Sequence, residues 1–570
     1  MKKWAKSVFR PVIFSSLKDY SLGQFKKDLI SGLIVGVVAL PLGLAFAIAS
    51  GVAPEKGLVT AVIAGLVGGL CGGSKVLISG PTGAFVLITS AIINKHGLEG
   101  LAFSTFLAGL ILITLGVLKL GKVIKFIPYP IVIGFNAGIA LSIFTSQVKE
   151  FLGLTIESNP QNFIARWIAV FENIGTFNLW AIGLGLLTIL IIIITPKISP
   201  KIPGFLAAIV IIAGIAYILR NQLGITEIRT IADCYLIDDR FPMPQNIDFR
   251  FDAIKDYLSS AITIAIMGAI VSLITATVAD GAISEKQDPN TELIGQGLTN
   301  LVIPIFGGIP STGAIARTMT SVNNGGRTPI VSLIHALVVL TILLCLGSLS
   351  RFIPTACLAG MLVVASYNMS GWRSIRGLYK GPKSDFLVML TTLSLTVLFD
   401  LSIAIEVGLL LAVFLFMKRV QDTSSISIAT ESIDPSEGTD LDIKEKLIIP
   451  KNVEVYEIDG PFFFGIANKF DEQMSVIGVK PKIRIIRMRH VPFIDATGLQ
   501  NLQTLMRNSH KEHIKVLLSG VNQNVFSSLT KSGFIKEFGD EIIFCNITDA
   551  LDEANRLLPE LESKPKHKQA

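Results

Sequence analysis

Long apolar runs alternate with short polar segments through the first three quarters of the chain. The runs fall at 29–50, 57–72, 80–95, 101–118, 127–148, 177–195 and 203–219, and again at 257–279, 291–307, 312–322, 329–349, 352–369, 384–400 and 402–417. A straight helix needs roughly 20 apolar residues to cross a bilayer. The pattern predicts a polytopic α-helical membrane protein of 14 spans, in which the third run of each set is broken at its start.

The two sets of seven runs are predicted to arise by duplication. Thr82-Gly83-Ala84 in the third run recurs as Thr312-Gly313-Ala314, 230 residues later. A duplicated unit with an odd number of spans enters the membrane in the opposite direction. The sequence therefore predicts a 7+7 inverted repeat within a transmembrane region at 29–420, with repeat one at 29–219 and repeat two at 257–420.

The pattern changes at both ends of this region. Residues 1–28 are polar and basic, which predicts a cytoplasmic arm, and residues 421–445 are a polar linker. Period-two and amphipathic segments then alternate, which predicts a small α/β domain at 446–558. Its strands are predicted at 453–458, 483–488 and 515–518, and its helices at 465–475, 496–510, 522–533 and 547–557. The charged tail at 559–570 is predicted to be disordered.

Composition supports the membrane prediction. The 570 residues are 51% hydrophobic and only 16% charged, whereas a soluble domain carries about 25% charged residues. The net charge of +7 is explained by basic cytoplasmic loops rather than by nucleic-acid binding. These loops hold Lys119, Lys122, Lys125, Lys197, Lys201, Arg327, Arg373, Arg376, Lys380 and Lys383. The charge bias predicts a multi-pass protein of the inner (plasma) membrane with both termini in the cytoplasm.

The duplicated triplet is the predicted site of function. In each copy an extended stretch with proline and glycine is predicted to break into a helix. Such breaks at membrane depth are tolerated only inside protein or beside a cavity, and two of them in matching halves indicate a transporter site. Unpaired amides and the positive end of a helix dipole favour an anion. The alternative is that glycine and proline only allow the helices to pack closely.

The predicted anion site has eleven residues. They are Phe46, Ser79, Thr82, Gly83, Ala84, Phe85, Ser311, Thr312, Gly313, Ala314 and Arg317. Glycine lets a ligand approach the backbone and hydroxyls supply donors. Arg317 is expected to strengthen the positive field behind the site rather than to contact the anion, or alternatively to form a structural salt bridge. Phe46 and Phe85 either wall the site or only pack.

Other classes of protein are disfavoured by the residues present. The histidines are scattered, and the sequence has no catalytic triad, metal-ligand cluster or ATP-binding motif. The five cysteines, Cys71, Cys234, Cys345, Cys357 and Cys545, have no spacing typical of a metal site or of a disulfide framework. We expect no enzymatic activity, no cofactor and no bound metal.

Motifs along most of the chain resemble the sulfate permease (SulP) family of anion transporters. They include Ala39-Leu40-Pro41, Gly80-Pro81-Thr82-Gly83, Ala279-Asp280-Gly281, Glu292 to Gly297, Phe306 to Pro310, Arg317-Thr318 and Gly325 to Thr328. The segment Phe493 to Leu499 resembles a STAS domain. The resemblance implies a homodimer whose spans 1–4 and 8–11 form a mobile core and whose spans 5–7 and 12–14 form a gate.

The resemblance implies secondary transport of a small inorganic anion, and sulfate and bicarbonate are the first candidates for that anion. The resemblance also implies that the core moves past the gate as an elevator. A dicarboxylate carrier is one alternative reading. Another is a membrane sensor that detects an anion and signals through the STAS domain.

One departure from the family concerns a coupling ion. Many bacterial relatives carry an acidic residue at the position of Val271, where it binds a cation, and Thr275 lies one turn further along. Here the acid is missing, and Ile315 stands where a hydroxyl would help ligation. The sequence favours anion exchange or uncoupled transport over sodium symport.

The STAS domain contains a candidate switch. In related soluble domains a Ser or Thr of the loop at Asp495-Ala496-Thr497-Gly498 is phosphorylated, and Thr497 is the candidate in this chain. Thr497 as a helix cap is the alternative. A regulatory protein that binds this domain is the expected partner besides the anion and the lipid bilayer.

Overall fold

The computed structural model describes residues 9–18, 20–122, 128–156, 160, 162–199, 202–235, 243–244, 254–399, 401–433, 447–465 and 481–563. The chain divides into two compact units, Met1–Ala412 and Val413–Ala570. Four predicted segments lie partly outside the described residues: the first part of the N-terminal arm, the linker from 434 to 445, the helix at 465–475 beyond Gly465, and the end of the tail.

The first unit is almost entirely helical. Its helices are α1 Val12–Ser16, α2 Leu22–Ala49, α3 Pro54–Cys71, α4 Gly83–Val117, α5 Tyr129–Leu152, α6 Phe163–Glu172, α7 Leu179–Ile198, α8 Gly204–Asn221, α9 Ile231–Cys234, α10 Ile254–Ile283, α11 Pro289–Val302, α12 Ile315–Asn323, α13 Ile330–Leu346, α14 Thr355–Met369, α15 Trp372–Lys380, α16 Lys383–Leu398 and α17 Leu401–Thr423. Among the described residues of this unit two short strands interrupt the helices, β1 Ser79–Gly80 and β2 Thr312–Gly313.

The first long helix begins earlier than the apolar pattern predicts. It starts at Leu22, after the side chain of Ser21 accepts a hydrogen bond from the amide of Gln24. Asp28, which the sequence assigns to the polar arm, is fully buried in this helix. Its carboxylate accepts hydrogen bonds from Thr328 Oγ1 at 2.6 Å and Gln24 Nε2 at 2.7 Å. The polar pattern predicted the start of this helix too late. It could not show that Asp28 is buried, because one of its partners, Thr328, lies 300 positions away.

The two halves of the first unit carry their elements in the same order. Each begins with a long helix and a shorter one, followed by a two-residue strand and a helix that starts after it. Gly97, at φ 71°, divides α4 into two helices, which agrees with the predicted break between the third and fourth runs. Seven described helices are long and apolar enough to cross a membrane, so the count of 14 stays a prediction.

Helices of the first unit pack in two groups. The core group contains α2, α3 and α4 with α10, α11, α12 and α13, and the gate group contains α5, α7, α8, α14 and α16. Within each group, helices from the two halves of the chain pack against each other: α11 lies on α4 and α13 on α2, while α14 and α16 lie on α5. Contacts between the groups are fewer.

Sheet and helices alternate in the second unit, as the sequence predicts. Its strands are β3 Ser425–Ala429, β4 Ser432–Ile433, β5 Leu447–Ile448, β6 Val453–Asp459, β7 Ile483–His490, β8 Lys515–Ser519 and β9 Ile543–Phe544, and its helices are α18 Ala496–Lys511, α19 Gln523–Lys531, α20 Phe534–Phe538 and α21 Ile547–Ser563. The main sheet has the order β3-β6-β7-β8-β9, with β3 antiparallel and the other neighbours parallel.

Two ends of the second unit differ from their predicted structure. The segment predicted as a linker contains β3, which pairs with β6 along its whole length from Ser425 to Ala429. The sequence of this segment is polar because an edge strand exposes every second side chain to solvent. The burial of β3 follows that alternation. The last helix continues through Pro559 to Ser563, five residues into the predicted tail.

Candidate functional site

The two broken segments meet as a pair of short antiparallel strands. Ser79 of β1 pairs with Gly313 of β2, and Gly80 pairs with Thr312. The amide of Ala314 donates to the carbonyl of Ile78 at 2.9 Å and extends the pairing by one residue. Because α4 starts at Gly83 and α12 at Ile315, two helix N-termini leave from one strand pair.

The repeated triplet adopts different structures in its two copies. In the first copy Thr82 precedes the helix and Gly83 is its first residue, whereas in the second copy Thr312 and Gly313 belong to the strand. The Thr312 hydroxyl lies 2.7 Å from Ser272 Oγ and also donates to the carbonyl of Gly268 at 3.1 Å. These contacts with α10 hold the second copy extended, so that its helix starts two residues later.

A cavity of about 340 Å³ lies between the core and gate groups at this point. Its walls are mainly apolar, with Phe46 on the core side and Phe135 and Phe205 on the gate side. The predicted site residues that line it are Phe46, Thr82, Gly83, Ala84, Gly313, Ala314 and Arg317. Val271, predicted at a doubtful coupling-ion position, lines it as well.

Five other predicted residues do not line this cavity, because they are buried inside the core group. They are Ser79, Phe85, Ser311, Thr312 and Thr275. Ser79 Oγ accepts from Gln296 Nε2 at 2.5 Å, and the Thr275 hydroxyl donates to the carbonyl of Gly313 at 3.3 Å. Phe85 is fully buried against α10. The peptide of Ser311 is held by the Asn300 side chain on both its amide and its carbonyl.

Arg317 lies in the wall of the cavity rather than behind it. Its side chain is 1% exposed, and its Nη2 donates to the carbonyl of Pro81. Its Nη1 has no hydrogen-bond partner, and no carboxylate pairs with it among the described residues. The alternative of a structural salt bridge therefore fails for the described part of the chain. A buried cation without a counterion is costly, so an anion in the cavity would stabilise it.

Glycines at the strand pair serve close packing more than ligand access. A Cβ atom at Gly313 would lie 2.8 Å from Leu77 Cδ1, and one at Gly83 would lie 2.6 Å from Met369 Sδ. At Gly80 a Cβ atom would collide with Nη1 of Arg317. Gly80 therefore leaves the space beside β1 that the guanidinium occupies.

The arrangement concentrates positive potential in an apolar chamber. The first amides of α4 and α12 have no partner within their helices, and each helix N-terminus amounts to roughly half an elementary charge. Thr82 Oγ1 is buried without a hydrogen-bond partner, which leaves one hydroxyl donor beside the cavity. Together with Arg317 these groups can hold one small anion by hydrogen bonds and charge.

Sequence reasoning missed polar residues on the gate side of the cavity and one behind β1. Asn136 of α5 and Asn368 of α14 line it from the gate group. Behind β1, Glu292 is 1% exposed and accepts from the amides of Gly73 at 2.8 Å and Ser74 at 3.1 Å. An amide or acid inside an apolar run is the signal that marks such positions.

A buried relay joins Glu292 to the site. Gln296 Nε2 donates to the Glu292 carboxylate at 2.9 Å and also contacts Ser79 Oγ. Since Ser79 belongs to β1, the carboxylate fixes one strand of the pair from behind.

In the second unit the predicted switch residue is exposed. Thr497 follows Asp495, whose side chain accepts from the amide of Gly498 at 2.7 Å and caps α18. The alternative role of Thr497 as the helix cap is therefore wrong, because Asp495 holds that position. Its hydroxyl lies on the surface at the first turn of the helix.

Two families match the chain, one for each part. Residues 25–392 match the sulfate permease family and residues 446–554 match the STAS domain. A putative sulfate transporter, YvdB of Bacillus subtilis, is 37% identical over 92% of this chain and 97% of its own length. The bicarbonate transporter BicA of Picosynechococcus is 30% identical over 93% of this chain and 95% of its own length.

Solved structures share the fold. The murine anion transporter Slc26a9 matches with a TM-score of 0.85 at 19% identity, over 98% of this chain and 95% of its own. The transmembrane domain of a cyanobacterial BicA matches with a TM-score of 0.61 at 30% identity, over 69% of this chain and 98% of its own. The helical region and the STAS domain therefore occur together in a known architecture.

Proposed function

The chain belongs to the sulfate permease family, and on that basis we propose that it is a secondary transporter of small inorganic anions, with sulfate and bicarbonate as the first candidates. Relatives with these substrates in their names cover nearly the whole chain. The single observation that carries the proposal is the buried guanidinium of Arg317, which shares a cavity with two helix N-termini. The anion would be held by these groups.

An elevator movement of the core group past the gate group would carry the anion across. The cavity has one wall from each group, and the anion-holding residues all belong to the core. The first turns of α5 and the last turns of α14 line it, and the predicted topology places these helix ends toward the cytoplasm. We place the N-terminus in the cytoplasm from the charge of the loops, so this conformation would be inward-open.

Alternating access predicts a reversal of exposure at Ala316, an exposed residue of the cavity wall. In a variant without native cysteines, Ala316→Cys is expected to react with a membrane-impermeant thiol reagent from either side, because the core presents it to each side in turn. The reactions are followed by mass labelling in sealed proteoliposomes. Labelling from one side only would contradict the elevator.

Sodium is not expected to drive the transport. Val271 places an apolar side chain in the cavity wall, and no described residue of that wall carries a carboxylate. The proteoliposome test measures uptake of radiolabelled sulfate against competing bicarbonate, chloride and succinate, with and without a sodium gradient. We expect saturable uptake that changes less than twofold with sodium, and Val271→Asp is the variant that introduces an acid there.

Each outcome of this test is informative. Sodium dependence of tenfold or more in the unmodified protein would remove the proposal of uncoupled transport or exchange. Succinate as the strongest competitor would favour a dicarboxylate carrier. Anion binding without any flux would favour the sensor.

The location and partners follow from the family and the charge pattern. We propose the plasma membrane, a homodimer, and a regulatory protein that reads the STAS domain. Thr497 is accessible for phosphorylation because its hydroxyl is exposed and is not the helix cap. Mass spectrometry of the protein purified from its host tests this modification, and an unmodified Thr497 under all growth conditions would contradict it.

A further inference from the structure

Two side-chain amides interrupt the apolar gate side of the cavity. Among the described residues that line this side, Asn136 of α5 and Asn368 of α14 are polar, and the others are aliphatic, aromatic or methionine. Asn136 is half-buried and Asn368 is exposed. Neither side-chain amide hydrogen-bonds to another residue in the described part of the chain. Both amides therefore have donors available for a ligand in the cavity.

The gate surface that carries these amides lies against the N-terminus of α4. A Cβ atom at Gly83, the first residue of α4, would lie 2.6 Å from Met369 Sδ and 3.3 Å from Ile143 Cδ1. Met369 follows Asn368 directly in α14. Ile143 lies two turns after Asn136 and so on the same face of α5, about 10 Å further along the helix. Asn368 is therefore the nearer of the two amides along the chain to this contact, and Asn136 lies toward the start of α5.

Contacts within the core group cannot make an anion prefer one conformation of an elevator. Arg317 and the N-termini of α4 and α12 belong to the core, so they would move together with the anion. A ligand shifts a conformational equilibrium only by the ratio of its affinities for the two states. The contacts that change during the movement are those with the gate, and the polar side chains that the gate offers here are Asn136 and Asn368.

We propose that Asn136 and Asn368 are gate-side contacts of the transported oxyanion, and that they make its affinity higher in this conformation than in the opposite one. The inference rests on the proposed function for the anion and for the elevator. Each amide has two N–H donors, and an oxyanion has several acceptor oxygens. A hydrogen bond to a charged group is worth about tenfold in affinity or more. Bound anion should therefore favour the inward-open state by about tenfold over the empty protein.

The test measures the distance between one spin label on the core and one on the gate. Lys95→Cys on α4 and Gln222→Cys at the end of α8 place the labels at exposed positions in a variant without native cysteines. Pulsed electron paramagnetic resonance in proteoliposomes then gives the ratio of the two conformations. We expect saturating sulfate to raise the inward-open share about tenfold. Asn136→Leu and Asn368→Leu are each expected to reduce this shift, and the double variant is expected to remove it.

Equilibrium binding of radiolabelled sulfate to the purified protein is the second measurement. If the empty protein is already inward-open, the gate contacts appear as affinity instead of as a shift, and the double leucine variant should bind sulfate about tenfold more weakly. Asn368→Asp keeps the size of the side chain but replaces its donors by a negative charge, so sulfate should shift this variant away from the inward-open state. Asn323→Leu is the matched control, because Asn323 is exposed at the end of α12 outside the cavity.

The two measurements together separate this inference from the proposed function. Sulfate that binds the double leucine variant with wild-type affinity and shifts its conformations as in wild type would overturn the role of the amides. A shift of the wild type toward the outward-open state would overturn it as well. Wild-type protein that binds no sulfate would instead count against the proposed function.

Discussion

Replacing Arg317 by methionine is expected to lower anion flux about a hundredfold while the protein still inserts and folds. Methionine retains the apolar stem but removes the buried charge that faces the cavity. Removing one partner of a buried charge pair costs about 2–5 kcal/mol of binding free energy. A loss of about 3 kcal/mol lowers the affinity roughly a hundredfold. The measurement is the half-saturation constant and maximal rate of uptake in proteoliposomes, with the melting temperature in detergent as the check on folding.

Three variants make this result specific. Arg317→Lys keeps the charge but loses the planar fork, so we expect an intermediate flux. Gly80→Ala forces the guanidinium away from β1, and we expect it to weaken the anion affinity without removing the charge. Arg373→Met is the matched control, because Arg373 is exposed on α15 outside the cavity. Wild-type flux in Arg317→Met would end the assignment of this cavity as the anion site.

Glu292→Ala is expected to destabilise the core group. We expect the same loss of buried hydrogen bonds to lower the anion flux. The substitution leaves the buried amides of Gly73 and Ser74 without their acceptor. Two such groups cost about 3 kcal/mol or more. The melting temperature in detergent should fall by roughly 5–10 °C.

The relay through Gln296 predicts that the damage extends to the site. Glu292→Gln keeps one carbonyl acceptor, so we expect a smaller loss of stability together with a higher half-saturation constant for the anion. Glu285→Ala is the control, since Glu285 is partly exposed and its 2.6 Å ion pair with Lys75 lies at the surface, where such pairs contribute about 0–1 kcal/mol. A melting temperature for Glu292→Ala equal to that of Glu285→Ala would show that the buried contacts of Glu292 are not needed.

Much of the architecture was readable from the chain. Burial in a bilayer imposes long apolar runs, and the run lengths and breaks predicted the broken helices and the division at Gly97. The odd number of runs in each half predicted opposite orientation of the two repeats. Period-two alternation located β6, β7 and β8 to within two residues at each end.

Local pattern failed where a residue's partner is distant in the sequence. Asp28 was assigned to the polar arm because it follows two lysines, yet its carboxylate is buried against Thr328. Ser79 and Thr312 were predicted to contact the anion because hydroxyls donate to anions, yet their hydroxyls bond to Gln296 and to α10. A donor's chemistry is fixed by the sequence, but its orientation is fixed by packing.

The sequence by itself determined that this is a membrane protein of two related halves, with a broken helix in each and an α/β domain behind them. The lengths of the hydrophobic runs and the repeated triplet are features of the sequence itself, so they can be recognised without knowledge of any tertiary contact. Only the tertiary structure decided which residues line the cavity: Arg317, in the first turn of α12, lines it, whereas Ser79 and Thr312, in the strand pair, do not. The physical reason is that these orientations depend on contacts between residues far apart in the chain, such as Arg317 with Pro81, 236 positions away, which no local pattern records.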